Sequence, residues 1–172
     1  MVIFITGATH TGKTVLAQRM LEKYRYPSFS IDHLKMGLIR SGQTDLTVED
    51  DEALTAYLWP IVREIAKTAI ENGQNMIIEG CYIPFDWQKD FDEAYLQAIR
   101  YICLALSDAY IDRNFAEIMR HSSDMERRLD EACTPGLLKR ENHYYIEGCS
   151  RYGNPIVLID GDYSQTLAGQ IG

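Results

Sequence analysis

A doubly wound α/β fold is what this sequence predicts, and three observations carry the prediction. Short apolar runs rich in β-branched residues recur along the chain. Longer stretches with apolar residues at helical spacing separate them. The short runs are apolar throughout instead of alternating, the pattern of parallel strands covered by helices on both faces. Strand-helix alternation of this kind builds a three-layer α/β/α domain around one parallel sheet.

Residues 2–6 read as the first strand. The helix at 14–24 follows, with Val15, Leu16, Met20 and Leu21 at helical spacing. Pro27 then turns the chain into a second strand at 28–32. Thr47 is placed to cap a long helix, and the acidic run from Glu49 to Glu52 suits its positive end. Leu54, Leu58, Ile61, Ile65 and Ala69 line one side of that helix, and Gly73 ends it. Pro60 is expected to kink it or divide it into two. Strands three to five are expected at 75–79, 99–106 and 155–160. Ser107 or Asp108 starts a further helix with Ile111, Phe115 and Ile118 inward.

With 172 residues the chain can bury a full core, and a single domain over residues 1–172 is the expectation. The formal net charge of -8 argues against a nucleic-acid partner, which leaves a basic footprint. Phosphate ligands need only a few local cations. Cys81, Cys103, Cys133 and Cys149 form no CxxC pair, and the histidines complete no zinc pattern. Cys103 lies in an apolar run and reads as an inert buried thiol. No basic leader with an apolar core precedes the first strand, and no stretch approaches the ~18 apolar residues of a membrane span. Reduced cysteines and the lack of an export signal point to the cytoplasm.

The most informative segment is Gly7-Ala8-Thr9-His10-Thr11-Gly12-Lys13-Thr14, a complete GxxxxGK[ST] motif between a strand and a helix. Its glycines let the backbone turn tightly and aim N–H groups at phosphate oxygens. The helix N-terminus adds partial positive charge. Lys13 is placed for the β- and γ-phosphates of ATP and the Thr14 hydroxyl for Mg²⁺. Thr9 and Thr11 belong to the same cradle. His10 is a candidate phosphate or substrate contact, with an ordinary exposed loop histidine as the alternative. The expected architecture is therefore a P-loop NTPase, with a five-stranded parallel sheet. A GTPase would need an NKxD base-reading motif, which is missing here, and large ATPase motors need a longer chain.

Two acidic strand ends compete for a second magnesium contact, Glu79 and Asp160. Asp160 fits the hhhhD pattern better. Glu79 is preferred by topology, since the last strand usually lies further from the metal. Asp32, near the end of strand two, arrives beside the P-loop, because strand C-termini line the ligand crevice of such sheets.

These features together resemble the P-loop metabolite kinases: the early P-loop, Asp32, the Glu79-Gly80 pair and an arginine-bearing segment after strand four. That group includes adenylate, shikimate and gluconate kinases and chloramphenicol phosphotransferase. The stretch from Met76 to Gly80, followed by Ile83-Pro84, is similar to small 2-phosphoglycerate-kinase-like proteins. The resemblance implies an ATP- and Mg²⁺-dependent kinase for a small hydroxyl- or phosphate-bearing metabolite. A nucleoside or nucleotide kinase and a non-transferring nucleotide-binding regulator are the alternatives. It implies that Asp32 binds the acceptor hydroxyl or acts as its base. Capping the helix at 33–41 is the structural alternative for Asp32. Lys35 and Arg40 are candidates for an anionic substrate or plain surface charges. Cys81, Tyr82, Asp86 and Trp87 are candidates to shape the acceptor pocket.

Arg113, Arg120, Arg127 and Arg128 resemble the arginines of a short helical lid over approximately 113–136, hinged at His121-Ser122-Ser123. Arg113 and Arg120 are the first choices for the migrating phosphoryl group. An Arg113–Glu117 pair on an exposed face is the alternative. Asp162, in the loop after strand five, is implied to border the adenine, or else belongs to a simple turn.

Overall fold

The computed structural model describes residues 1–121 and 133–172. Five parallel strands form one sheet: β1 (Val2–Gly7), β2 (Ser28–Ser30), β3 (Met76–Glu79), β4 (Ile99–Leu106) and β5 (Ile156–Ile159). Their spatial order is β2-β3-β1-β4-β5, so the first strand lies at the centre. Val2 is in register with Met76 on one side and Ile99 on the other.

Helices among the described residues are α1 (Lys13–Tyr24), α2 (Ile31–Arg40), α3 (Asp51–Glu71), α4 (Glu93–Leu96), α5 (Asp108–His121), α6 (Pro135–Tyr152) and α7 (Tyr163–Ile171). The continuous apolar runs of the strands have a direct cause. Alternate residues of one strand enter two different cores. Val2 and Phe4 join Trp59, Trp87, Phe91 and Tyr101 on one face. Ile3 and Ile5 join Leu16, Met20, Ile111 and Leu167 on the other. Both faces of β1 are buried, so neither alternation position tolerates a polar side chain except at its end. No helix among the described residues is long and apolar enough to cross a membrane.

The structure corrects several local expectations. β2 ends at Ser30, so Ile31 and Asp32 already belong to α2. Ile31 is fully buried against Gly80, and that contact turns the chain inward early. Thr47 does not cap α3: Asp50 is the N-cap residue, and its carboxylate accepts from the Thr47 amide at 2.8 Å and the Thr47 hydroxyl at 2.9 Å. Pro60 does not divide α3, which is assigned as one helix from Asp51 to Glu71. Leu54, Leu58 and Trp59 before the proline and Val62, Ala66 and Ala69 after it bury one shared face, and this packing outweighs the lost hydrogen bond. β5 ends at Ile159, leaving Asp160 outside the strand.

α6 is tied to the sheet by one buried amide. Asn142 accepts the Leu106 N–H at 2.7 Å and donates to the Leu138 carbonyl at 2.8 Å. It therefore satisfies the last backbone donor of β4 inside the protein. Asn142→Ala leaves that N–H buried and unpaired, a loss of roughly 1–3 kcal/mol. Urea unfolding measures it, and an unchanged midpoint with unchanged slope would show that the bond is not stabilising.

Candidate active site

The loop between β1 and α1 is a closed ring around a lysine. Gly7 takes φ +137°, and a Cβ there would lie 2.1 Å from the Leu104 carbonyl oxygen on β4. Gly12 takes φ +88°, and its Cβ would lie 1.8 Å from the Tyr163 hydroxyl oxygen at the start of α7. Only glycine meets both the conformation and the space at these two points. Thr11 donates its hydroxyl to the Ala8 carbonyl at 2.8 Å. Lys13, 6% exposed, donates its ammonium to the carbonyls of Gly7 at 3.1 Å and Ala8 at 2.9 Å. His10 sits in the left-handed region at φ 63°, between Thr9 and Thr11 at the bend of the loop.

Next to this ring, Thr14 on the first turn of α1 meets the end of β3. Its hydroxyl donates to Glu79 Oε2 at 3.4 Å. Glu79 is 2% exposed and lies in register with Ile5 of β1. A hydroxyl beside a carboxylate offers hard oxygen ligands, which suit Mg²⁺. Among the described residues no group of three or more His, Cys, Asp or Glu could hold a metal ion. Asp160 lies elsewhere, exposed at the far edge of the sheet. It accepts from the Ser107 hydroxyl, and its backbone carbonyl accepts from Arg113 at 2.6 Å.

On the other side of Glu79 lies a chain of four polar side chains. Lys35 donates to Asp32 Oδ1 at 2.6 Å and to the Tyr82 hydroxyl at 2.9 Å. Tyr82 donates in turn to Asp51 Oδ1 at 3.2 Å. α2, α3 and the segment after β3 are thereby joined. Burial alone would lower the Lys35 pKa, but its hydrogen bonds to Asp32 and Tyr82 outweigh this and hold it above the ordinary lysine value. Burial pushes the Tyr82 hydroxyl up to about 12, so it stays a neutral donor. Asp32 is not the N-cap of α2. Ser30 holds that position, and Asp32 stands in the first turn with its carboxylate on Lys35.

No protein-family profile matches this chain, and no curated protein matches it by sequence. Solved structures do match over nearly its full length. A shikimate kinase from Bacteroides thetaiotaomicron aligns with 99% of this chain and 96% of its own at 14% identity, with a TM-score of 0.58. A gluconokinase from Sinorhizobium meliloti aligns with 99% of this chain and 89% of its own at 15% identity, with a TM-score of 0.57. A shikimate kinase from Aquifex aeolicus covers 99% and 94% at 15% identity, with a TM-score of 0.51. The chain shares the fold of these kinases.

Within this fold the arginines of α5 face outward. The Arg113 and Arg120 side chains are 60% and 71% exposed. The expected Arg113–Glu117 pair does not form. Glu117 meets Arg120 at 3.6 Å, and Arg113 reaches Asp160 instead. Arg127 and Arg128, and most of the expected lid, lie outside the described residues. Asp162 caps α7, accepting the Gln165 N–H at 2.7 Å. Arg40 is exposed at the far end of α2. Cys81 lies close under the P-loop, its thiol 3.7 Å from the Gly7 carbonyl. Trp87 is a core residue, stacked on Tyr101 at 5.4 Å.

Two site neighbours carry no local signal in the sequence. Tyr163 closes over Gly12 although 151 positions separate them, and Tyr145 of α6 donates to the Cys81 carbonyl at 3.1 Å. Gly12→Ala should destabilise the protein through both the positive φ, worth roughly 1–2 kcal/mol, and the clash with Tyr163. Adding Tyr163→Phe should recover the hydroxyl's share of the clash only, since the ring carbon Cζ would still lie 2.9 Å from the added Cβ. Thermal unfolding of the single and double variants checks this. Equal stability of Gly12→Ala and the parent would rule out the contact.

Proposed function

We propose that this protein is an ATP- and Mg²⁺-dependent phosphotransferase acting on the hydroxyl of a small metabolite. The observation that carries the reading is the convergence of Lys13, the Thr14–Glu79 pair and Asp32 at the C-terminal ends of the neighbouring strands β1, β3 and β2. That is where ligands bind in open parallel sheets. The kinase folds at 14–15% identity support the class of reaction and do not select a substrate.

In this reading the amides of residues 7–14, including Thr9, His10 and Thr11, cradle the triphosphate. Lys13 exchanges its carbonyl partners for β- and γ-phosphate oxygens. Thr14 and Glu79 would hold Mg²⁺, which supplies charge neutralisation at the phosphates when bound. Asp32 uses Oδ1 to hold Lys35 and Oδ2 to take the proton of the acceptor hydroxyl. The acceptor oxygen forms a bond to the γ-phosphorus while the bond from that phosphorus to the bridging oxygen breaks, and ADP leaves with the electron pair. Arg113 and Arg120 of α5 are the arginines assigned to the migrating phosphoryl group. Asp162 borders the adenine side. The acidic chain, at a net charge of -8, suits an enclosed small ligand better than a polynucleotide.

Lys13→Ala should abolish acceptor-stimulated ADP release and leave the far-ultraviolet circular dichroism unchanged. Normal turnover in the purified variant would end the reading.

Asp32→Asn should lower kcat on the order of 100-fold, the scale of a lost general base. The assay is steady-state kinetics at saturating ATP. A variant with parental kcat would leave Asp32 only its structural bond to Lys35.

A further inference from the structure

The network beside Glu79 also bears on which acceptors fit. Lys35 is the cation closest to Asp32, and two of its three N–H donors are already used, on Asp32 at 2.6 Å and on Tyr82 at 2.9 Å. Its charge is answered inside the protein. The other charged groups of the network and its neighbour are carboxylates: Asp32, Asp51 and the buried Glu79. The positive ends of two helices approach here, and each already carries acid in its first turn. Asp32 stands there in α2, and Asp51 and Glu52 in α3. An anion arriving at this place meets helix ends that are answered and a lysine that is paired.

Several other cations of the described elements are engaged or distant. Lys13 lies in the P-loop ring, and Arg113 is on Asp160. Lys89 pairs with Asp86. Arg40 is eight residues from Asp32, about 12 Å along α2. Neutral polar groups are present instead. The Ser30 hydroxyl, which shares a register position with Glu79, is buried without a hydrogen-bond partner among the described residues and makes no capping bond.

From this juxtaposition we infer that the acceptor is an uncharged or cationic hydroxyl compound, a polyol, sugar or amino alcohol, and not a carboxylate or a phosphate ester. The inference rests on the phosphotransferase reading. Lys35 is a positioning residue for Asp32 and not a receptor for the substrate's charge. Asp51 is a specificity residue that repels anionic acceptors.

Matched pairs that differ in charge test it. Sorbitol is compared with gluconate, glucose with glucose 6-phosphate, and an amino alcohol with its hydroxy-acid counterpart, by acceptor-stimulated ADP release with ATP and Mg²⁺. The uncharged or cationic member should lead by roughly tenfold or more in kcat/KM, the equivalent of ~1.4 kcal/mol. Asp51→Asn should narrow that ratio several-fold with the KM for ATP unmoved, and Asp51→Glu should restore it. A merely structural Asp51 would change both members of a pair equally, which would remove its assigned role. Preference for the anionic members overturns the inference and leaves phosphoryl transfer standing. ADP release that no member stimulates overturns both.

Discussion

The position of β1 between β3 and β4 is the constraint on which the rest of the site depends. Parallel pairing in one register sets Val2 against Met76 and Ile99, and the ends of the strands follow from it. Gly7 then falls against the Leu104 carbonyl, so close that no side chain fits. The same register brings Glu79 opposite Ile5 and Ser30 opposite Glu79. A slip of one residue would turn every apolar side chain of β1 toward the wrong core. Because both faces are buried, such a slip exposes nothing to water but mismatches two packed interiors at once. The register is thus specified twice.

Charge is arranged around that frame with little surplus. The P-loop ring holds one ammonium on its own carbonyls, and the Asp32–Lys35–Tyr82–Asp51 chain holds the other. Buried charges are tolerated when each is paired and hydrogen-bonded. Glu79 is the buried carboxylate between these two groups, in contact with the Thr14 hydroxyl. The alternation of cation, acid and cation across three neighbouring elements couples their positions. A shift of α2 would move Lys35 away from Tyr82 and so be felt in α3.

The helix after the undescribed segment is also anchored to the site. Tyr145 holds the Cys81 carbonyl, and Phe85 packs over Gly148, where a Cβ would come within 2.3 Å of its ring. Asn142 holds the end of β4. α6 therefore packs with the loop that follows Glu79, not merely against the outside of the sheet. Its own sequence shows little of this, because two of these three contacts are made by polar atoms and the third by a glycine that leaves space.

Local chemistry determined much of this protein. A short continuous apolar run bounded by turns fits a strand covered on both sides, and a GxxxxGK[ST] motif between strand and helix fits a tight anion-cradling turn. Gly7, Lys13, Thr14 and the five strands are legible for that reason, as is the placing of Glu79 at a strand end. Pairings between distant segments were decided by the tertiary structure alone. Asp32 and Lys35 are three residues apart and readable as a helical pair, but Tyr82 completes the pair from 47 positions away. Arg113 passes over Glu117, one turn along its own helix, for Asp160 on the neighbouring strand end. Helix starts moved for a related reason: the end of β2 is set by Ile31 packing onto Gly80, a contact no local pattern encodes. Spacing along the chain specifies which face a residue occupies, whereas the partner it finds there depends on how the layers stack.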